Sequence, residues 1–134
     1  MITVDTNILA HFWLPSENTE LCDRLFQWDS EWLAPILWKS EFRSVVALYL
    51  RKGIIDLPQA LQITEKAEGQ MKDREFHVNS VSVYNLVEKS DCSSYDCEFV
   101  SLAEDLQIRL ITMDKMILRS FPEIAAKPSD IIAT

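Results

Sequence analysis

A chain of 134 residues is long enough to bury roughly two-thirds of its unfolded surface as one domain, and 48% hydrophobic residues with only two glycines exclude a disordered or low-complexity chain. No apolar run approaches the roughly 20 residues of a spanning helix, Asp5 falls where a secretory signal would place its apolar core, and Cys22, Cys92 and Cys97, with no close zinc-type pair, predict reduced thiols in a cytoplasmic protein without a membrane partner. The net charge of -8 argues against general nucleic-acid binding through Lys and Arg, although residues 36–75 are close to neutral, and a bound metal would invert the field that a phosphate meets.

Met1–Val4 predicts a short buried strand that ends at Asp5-Thr6-Asn7, where Ile8-Leu9-Ala10 begins a helical turn. Pro15 and Ser16 break that turn. Thr19–Trp28 predicts a helix with Leu21, Leu25 and Trp28 on one face, and Trp32–Ala34 a second strand. Pro35 suits the first turn of a helix that runs to about Arg51 and stops before Gly53. On it Leu37, Glu41, Val45 and Leu48 form a stripe that Glu41 interrupts. An acid between apolar neighbours on both sides is costly to bury alone, unless it sits at a boundary and reaches water. Lys39, Arg43 and Arg51 follow a four-residue spacing with Ala47, which suits a solvated face or contacts to RNA phosphates. Leu57-Pro58 opens a loosely amphipathic helix to about Lys72, Phe76–Val78 predicts a strand, and Ser80 caps a helix to about Lys89. His11 and His77 have no Ser or Cys nucleophile signature to pair with and read as ordinary structural residues.

From Ser93 to Lys115 the chain predicts a helix running back to a strand. Ser93 or Ser94 is the cap, Phe99, Val100, Ala103 and Leu106 form the core face, and Arg109–Thr112 is the strand. Asp96 falls in the first helical turn on the apolar face, and Asp114 just past the strand's carboxyl end. A short helix over Met116–Phe121, an edge strand over Ala125–Lys127 and a packed apolar tail over Pro128–Thr134 complete the pattern. In alternating strands and helices, helix amino ends and strand carboxyl ends meet at one edge of the sheet. Asp5, Glu41, Asp96 and Asp114 are therefore all expected at that edge. Each has a plain explanation alone, as a helix cap, as part of the Ser93-x-x-Asp96 capping box or as a boundary residue, and Asp91 reads as a solvated loop residue. Independent caps have no reason to converge, whereas two carboxylates about 4 Å apart repel by roughly 4 kcal/mol at an effective dielectric near 20. Shared protons or hard cations relieve that repulsion, and four carboxylates suit one or two Mg2+ or Mn2+ ions, which can activate water against a phosphodiester.

Asp5-Thr6-Asn7-Ile8-Leu9, Ser40-Glu41, Ser94-Tyr95-Asp96-Cys97-Glu98-Phe99-Val100-Ser101-Leu102-Ala103 and Leu110-Ile111-Thr112-Met113-Asp114 together resemble, in order and spacing, a PIN-domain ribonuclease of the VapC toxin type. The resemblance spans nearly the whole chain as a single domain, 1–134. It implies an α/β/α three-layer sandwich with a mainly parallel central sheet. It also implies metal binding by Asp5, Glu41, Asp96 and Asp114, with Asn7, Thr112 and Ser94 in support. The expected activity is Mg2+-dependent endoribonucleolytic cleavage, with Mn2+ as an alternative ion. The expected partners are an RNA substrate, a cognate antitoxin seated in a groove beside the site, and a second copy in a homodimer. Gln107 departs from the family pattern, where many relatives place Gly between this helix and the last motif strand. Two other classes compete: a catalytically silent PIN-like module that only binds protein, and a receiver-like phosphotransfer protein. The second needs a Lys from a separate strand end, and Lys115 is adjacent to Asp114 instead.

Overall fold

The computed structural model describes residues 1–132. Its strands are β1 (Ile2–Val4), β2 (Trp32–Pro35), β3 (Glu75–Phe76), β4 (Leu110–Ile111) and β5 (Ala125–Ala126). The helices are α1 (Thr6–Trp13), α2 (Thr19–Trp28), α3 (Trp38–Arg51), α4 (Leu57–Met71), α5 (Ser80–Glu88), α6 (Ser94–Leu106), α7 (Lys115–Ser120) and α8 (Pro128–Ile132). All strand pairs are parallel, in the order β3-β2-β1-β4-β5. Parallel strands need crossovers, and the helices supply them. Sheets of this kind are covered on both faces, which is why the strands are short, continuously apolar runs rather than alternating ones. β1 and β2 are buried at every position.

On one side α6, with α5 packed on it, lies across β1, β2 and β4. A helix in that position must be apolar over much of its circumference, and Cys97 and Phe99–Ala103 are all buried. The second helical layer is α1 to α4, which meets the sheet through α4 on β2. Phe12 of α1 and Phe26 of α2 reach it as well, packing with Trp32 of β2 at ring centroids 5.0–5.4 Å apart, each such pair adding about 0.5–1.5 kcal/mol beyond the area it buries. Truncating the fully buried Phe99 to Ala would cost about 3–5 kcal/mol.

Several sequence expectations need correction. Pro35 closes β2 rather than opening α3. The β1 ladder reaches only to Leu33, and the bond to β3 after it is carried by the Ile36 amide, so the proline's missing N–H removes nothing. With α3 starting later, its core stripe is Trp38, Phe42 and Val46 rather than Leu37, Glu41, Val45 and Leu48; Leu48 is exposed and Glu41 half-buried at the stripe's border. Cys22 and Leu25 face the core from α2, and Trp28 is exposed. β3 comes one residue earlier than expected, and Asn79, not Ser80, caps α5, its side chain accepting from the Ser82 amide at 2.8 Å. Leu106 reaches the surface at the end of α6. Gln107 takes the left-handed conformation that glycine usually fills, with φ 56°, and its amide closes the helix onto the Ala103 and Glu104 carbonyls. The apolar tail folds back as α8 on α2 with Pro128 and Ile132 buried; its last two residues, 133 and 134, lie outside the described residues. Cys22, Cys92 and Cys97 are free and buried. Cys92 and Cys97 flank the Ser93 cap at the spacing of a hydrophobic staple.

Candidate metal centre

The order β3-β2-β1-β4-β5 reverses direction between β1 and β4, and the crevice beyond the strand carboxyl ends at such a point is the usual ligand site of an open α/β sheet. Asp5 directly follows β1, and Thr112-Met113-Asp114 directly follows β4. Local structure holds both acids in place. Asp5 caps α1, its Oδ1 accepting from the Thr6 amide at 2.8 Å. Its Oδ2 accepts from the Thr112 hydroxyl at 2.7 Å and from Asn7 Nδ2 at 3.2 Å. Thr112 Oγ1 in turn accepts from the Asp114 amide at 3.0 Å, and Asn7 Oδ1 from the Met113 amide at 3.4 Å. Asp114 caps α7 through the Ile117 amide at 2.9 Å. One network thus ties the ends of two strands that are more than a hundred residues apart in sequence.

Asp96 reaches the same edge from the first turn of α6, where Ser93 caps the helix by accepting from the Asp96 amide at 3.0 Å. Glu41 comes from the first turn of α3, and Thr6 donates its hydroxyl to Glu41 Oε1 at 2.7 Å. Thr6 is buried and absent from the expected set. It is the first residue of α1, which packs against α3, and nothing in the sequence marks it apart from an ordinary helix start. Glu98, one turn into α6, is a further acid near Glu41 that the sequence reading left out.

Burial is the first cause of the electrostatics here. It pushes the Asp5 carboxyl up to about 7, against the lowering pull of Thr112 and Thr6, and the charges of Asp96 and Glu41 push the same way. Glu41 is also raised, first by burial and then by Asp96 and Glu98, with Thr6 opposing. Asp96 is raised by burial and by Asp114, with Ser93 opposing. Among the described residues no Lys or Arg forms an ion pair with any of these acids. Lys39, one of the expected RNA contacts, lies 3.8 Å from Glu75 Oε2 instead; Arg43 and Arg51 are exposed. Ser94 is exposed at the first turn of α6. His11 is tied to Ser16 at 2.8 Å, a structural role as expected.

In kind, the donor set fits a hard divalent cation: oxygen ligands only, partly dehydrated, with negative charge that no Lys or Arg among the described residues pairs with. In position it is looser, because among the described residues no three His, Cys, Asp or Glu side chains converge closely enough to hold one ion as they stand. The acids act on one another through space without forming a closed cage. Among the described residues no helix is long and apolar enough to cross a membrane.

Three comparisons bear on this arrangement. The PIN domain family matches residues 2–125. Ribonuclease VapC3 of Pyrobaculum aerophilum is 23% identical over 126 residues, covering 92% of this chain and 96% of that protein. A chain of the FitAcB crystal structure from Neisseria gonorrhoeae superposes with a TM-score of 0.76 at 15% identity, over 96% of this chain and 98% of its own, a likeness of fold.

Proposed function

This chain belongs to the PIN-domain family, and on that premise we propose that it is a divalent-cation-dependent endoribonuclease, the toxin of a toxin–antitoxin pair, acting in the cytoplasm. The observation that carries the reading is the buried Asp5, held by Thr112 and Asn7 at the switch-point edge with Glu41 and Asp96 as charged neighbours and no cationic partner among the described residues. Asp5, Glu41, Asp96 and Asp114 are the residues that would hold Mg2+ or Mn2+. When bound, the ion supplies charge neutralisation, water activation and stabilisation of the leaving oxygen of a phosphodiester.

The chain's own residues prepare that chemistry. Thr112 and Asn7 fix the orientation of Asp5, since each donates to its Oδ2, and the Thr112 bond favours the ionised form against burial. Thr6 turns Glu41 toward the edge in the same way. Asp5 holds a proton for part of the time near neutral pH and must release it for a cation to enter. Arg43 and Arg51, exposed on α3, are the candidates to meet RNA phosphates, and Ser94 supports the approach to Asp96. The VapC name of the relative supports a cognate antitoxin as partner, and the family supports a homodimer.

Because the acids stand apart in this arrangement, a catalytically silent protein-binding module is the alternative. Cleavage of a mixed RNA pool with Mg2+, with EDTA, and by Asp96→Asn separates the two. Cleavage in the first condition alone is expected; folded wild-type protein that leaves the RNA intact in Mg2+ and in Mn2+ overturns the nuclease reading. Growth arrest by the wild type, absent with Asp96→Asn, tests the toxin role.

A further inference from the structure

A groove of about 270 Å3 opens beside the acids, between the turn after β2, the entry to α5 and the first turns of α6. It adjoins the site through Glu98, which lines it together with Ser94 one turn earlier on α6 and whose charge acts on Glu41. From α5 it is lined by Tyr84, which is 66% exposed, while its neighbour Val83 is buried and anchors the helix. A tyrosine ring has only two side-chain torsions to order, so stacking a base on it costs little entropy. Among the described residues no Lys or Arg lines the groove, His77 is its one ring that can take a proton, and Glu98 would repel a phosphate, so its electrostatics favour a neutral base over one. Its size falls just below the roughly 300 Å3 at which pockets for drug-sized ligands begin, which suits one planar heterocycle.

We propose that this groove is a base-binding subsite for the nucleotide beside the scissile phosphodiester, the base stacking on Tyr84 and donating its N–H edge to the Glu98 carboxylate. The inference rests on the ribonuclease reading above. A carboxylate accepts and cannot donate, so the bases differ in how well they answer it. Guanine presents N1–H and N2–H side by side to both oxygens. Cytosine and adenine each offer one exocyclic amine, and uracil flanks its single N–H with two carbonyls that face the carboxylate unfavourably. The expected order is guanine first, then cytosine and adenine, and uracil last. Stacking on the ring is indifferent to base identity and carries affinity, roughly tenfold or more per base.

Two readouts test it on the full chain. Wild type, Tyr84→Ala and Glu98→Gln are given a random-sequence RNA pool with Mg2+, and the bases flanking each cut are sequenced. The same three proteins are titrated in EDTA with labelled tetranucleotides that differ in one base, followed by anisotropy. Expected are guanine enrichment at one position beside the cut for the wild type, loss of that preference in Glu98→Gln, and roughly tenfold weaker binding of every oligonucleotide by Tyr84→Ala. Cleavage with an unchanged base profile in both variants overturns the subsite and leaves the nuclease intact. No cleavage by the wild type, with binding in EDTA still ranked by base, supports the subsite and overturns the nuclease reading. A Tyr84→Ala protein whose sedimentation changes while its base profile does not assigns the ring to an interface between copies and overturns the proposal.

Discussion

Replacing Asp5 by Asn should stabilise the metal-free protein at pH 8 and do nothing or the reverse at pH 4. The carboxyl is raised from 3.8 to about 7, so its ionised form is disfavoured in the fold. The contribution is fully present below the ordinary carboxylate value and is lost as pH rises through about 7. At about 1.36 kcal/mol per pH unit, that shift corresponds to a penalty on the order of 4 kcal/mol at pH 8. Asn keeps the acceptor for the Thr6 amide but turns an NH2 group toward Asn7 Nδ2 and the Thr112 hydroxyl, which both now donate to Oδ2. Leaving those donors unmatched costs about 1–3 kcal/mol. The net gain at pH 8 is then about 1–3 kcal/mol, a Tm rise of roughly 3–10 °C for a domain of this size. At pH 4 the wild type carries almost none of the penalty, and only the hydrogen-bond loss remains. Thermal melts of both proteins in EDTA at the two pH values measure this directly. A Tm difference that does not change with pH, or a variant less stable than wild type at pH 8, would refute the reasoning that burial and like charge dominate at Asp5.

Four further outcomes follow from the same geometry. Mg2+ should raise the wild-type Tm more at pH 8 than at pH 6, because a proton competes with the cation at Asp5 below about 7; equal shifts at both would place the ion elsewhere. Thr6→Val removes the hydroxyl that orients Glu41 at 2.7 Å, and should lower Mg2+ affinity or cleavage by about 10–100-fold without unfolding the domain, read by titration and a melt. Asn7→Ala should reduce cleavage less than Asp96→Asn does, since Thr112 still holds Asp5; a rate assay on one defined RNA compares them. Gln107→Gly relieves a left-handed residue far from the acids, so stability should rise by up to about 1 kcal/mol with cleavage unchanged, as followed by denaturant unfolding.

The sequence was most legible where one element had one job. β1, α2, α4 and α6 lie close to where periodicity and caps place them, because each has a single apolar face or a buried strand pattern and a strong start signal. α3 was harder. Packed against both α1 and α4, it has apolar residues on two sides, so a stripe one residue out of phase looked equally good, and Pro35 offered a false start signal. The four acids were legible from topology alone, since any alternating α/β chain brings strand ends and helix starts to one edge. Thr6 was not, because a threonine inside a helix start is ordinary until its partner on α3 is seen. How tightly the carboxylates approach one another also lay beyond spacing, being set by side-chain directions rather than by which edge they occupy.

The hydrogen bond from Thr112 to Asp5 spans 107 residues of chain, and β1 lies at the centre of the sheet with β4 beside it. The site therefore belongs to no local segment. Closing so long a loop is entropically slow, and it cannot happen until the chain through Asp114 is available. Until β4 is present the second edge of β1 has no partner strand, and Asp5 lacks the Thr112 hydroxyl. The hydrogen-bonded framework around Asp5 is thus completed late and all at once, on the addition of the stretch that carries β4 and Thr112. A nascent or truncated chain ending before β4 carries three of the four acids and still lacks the framework that gives them a common direction.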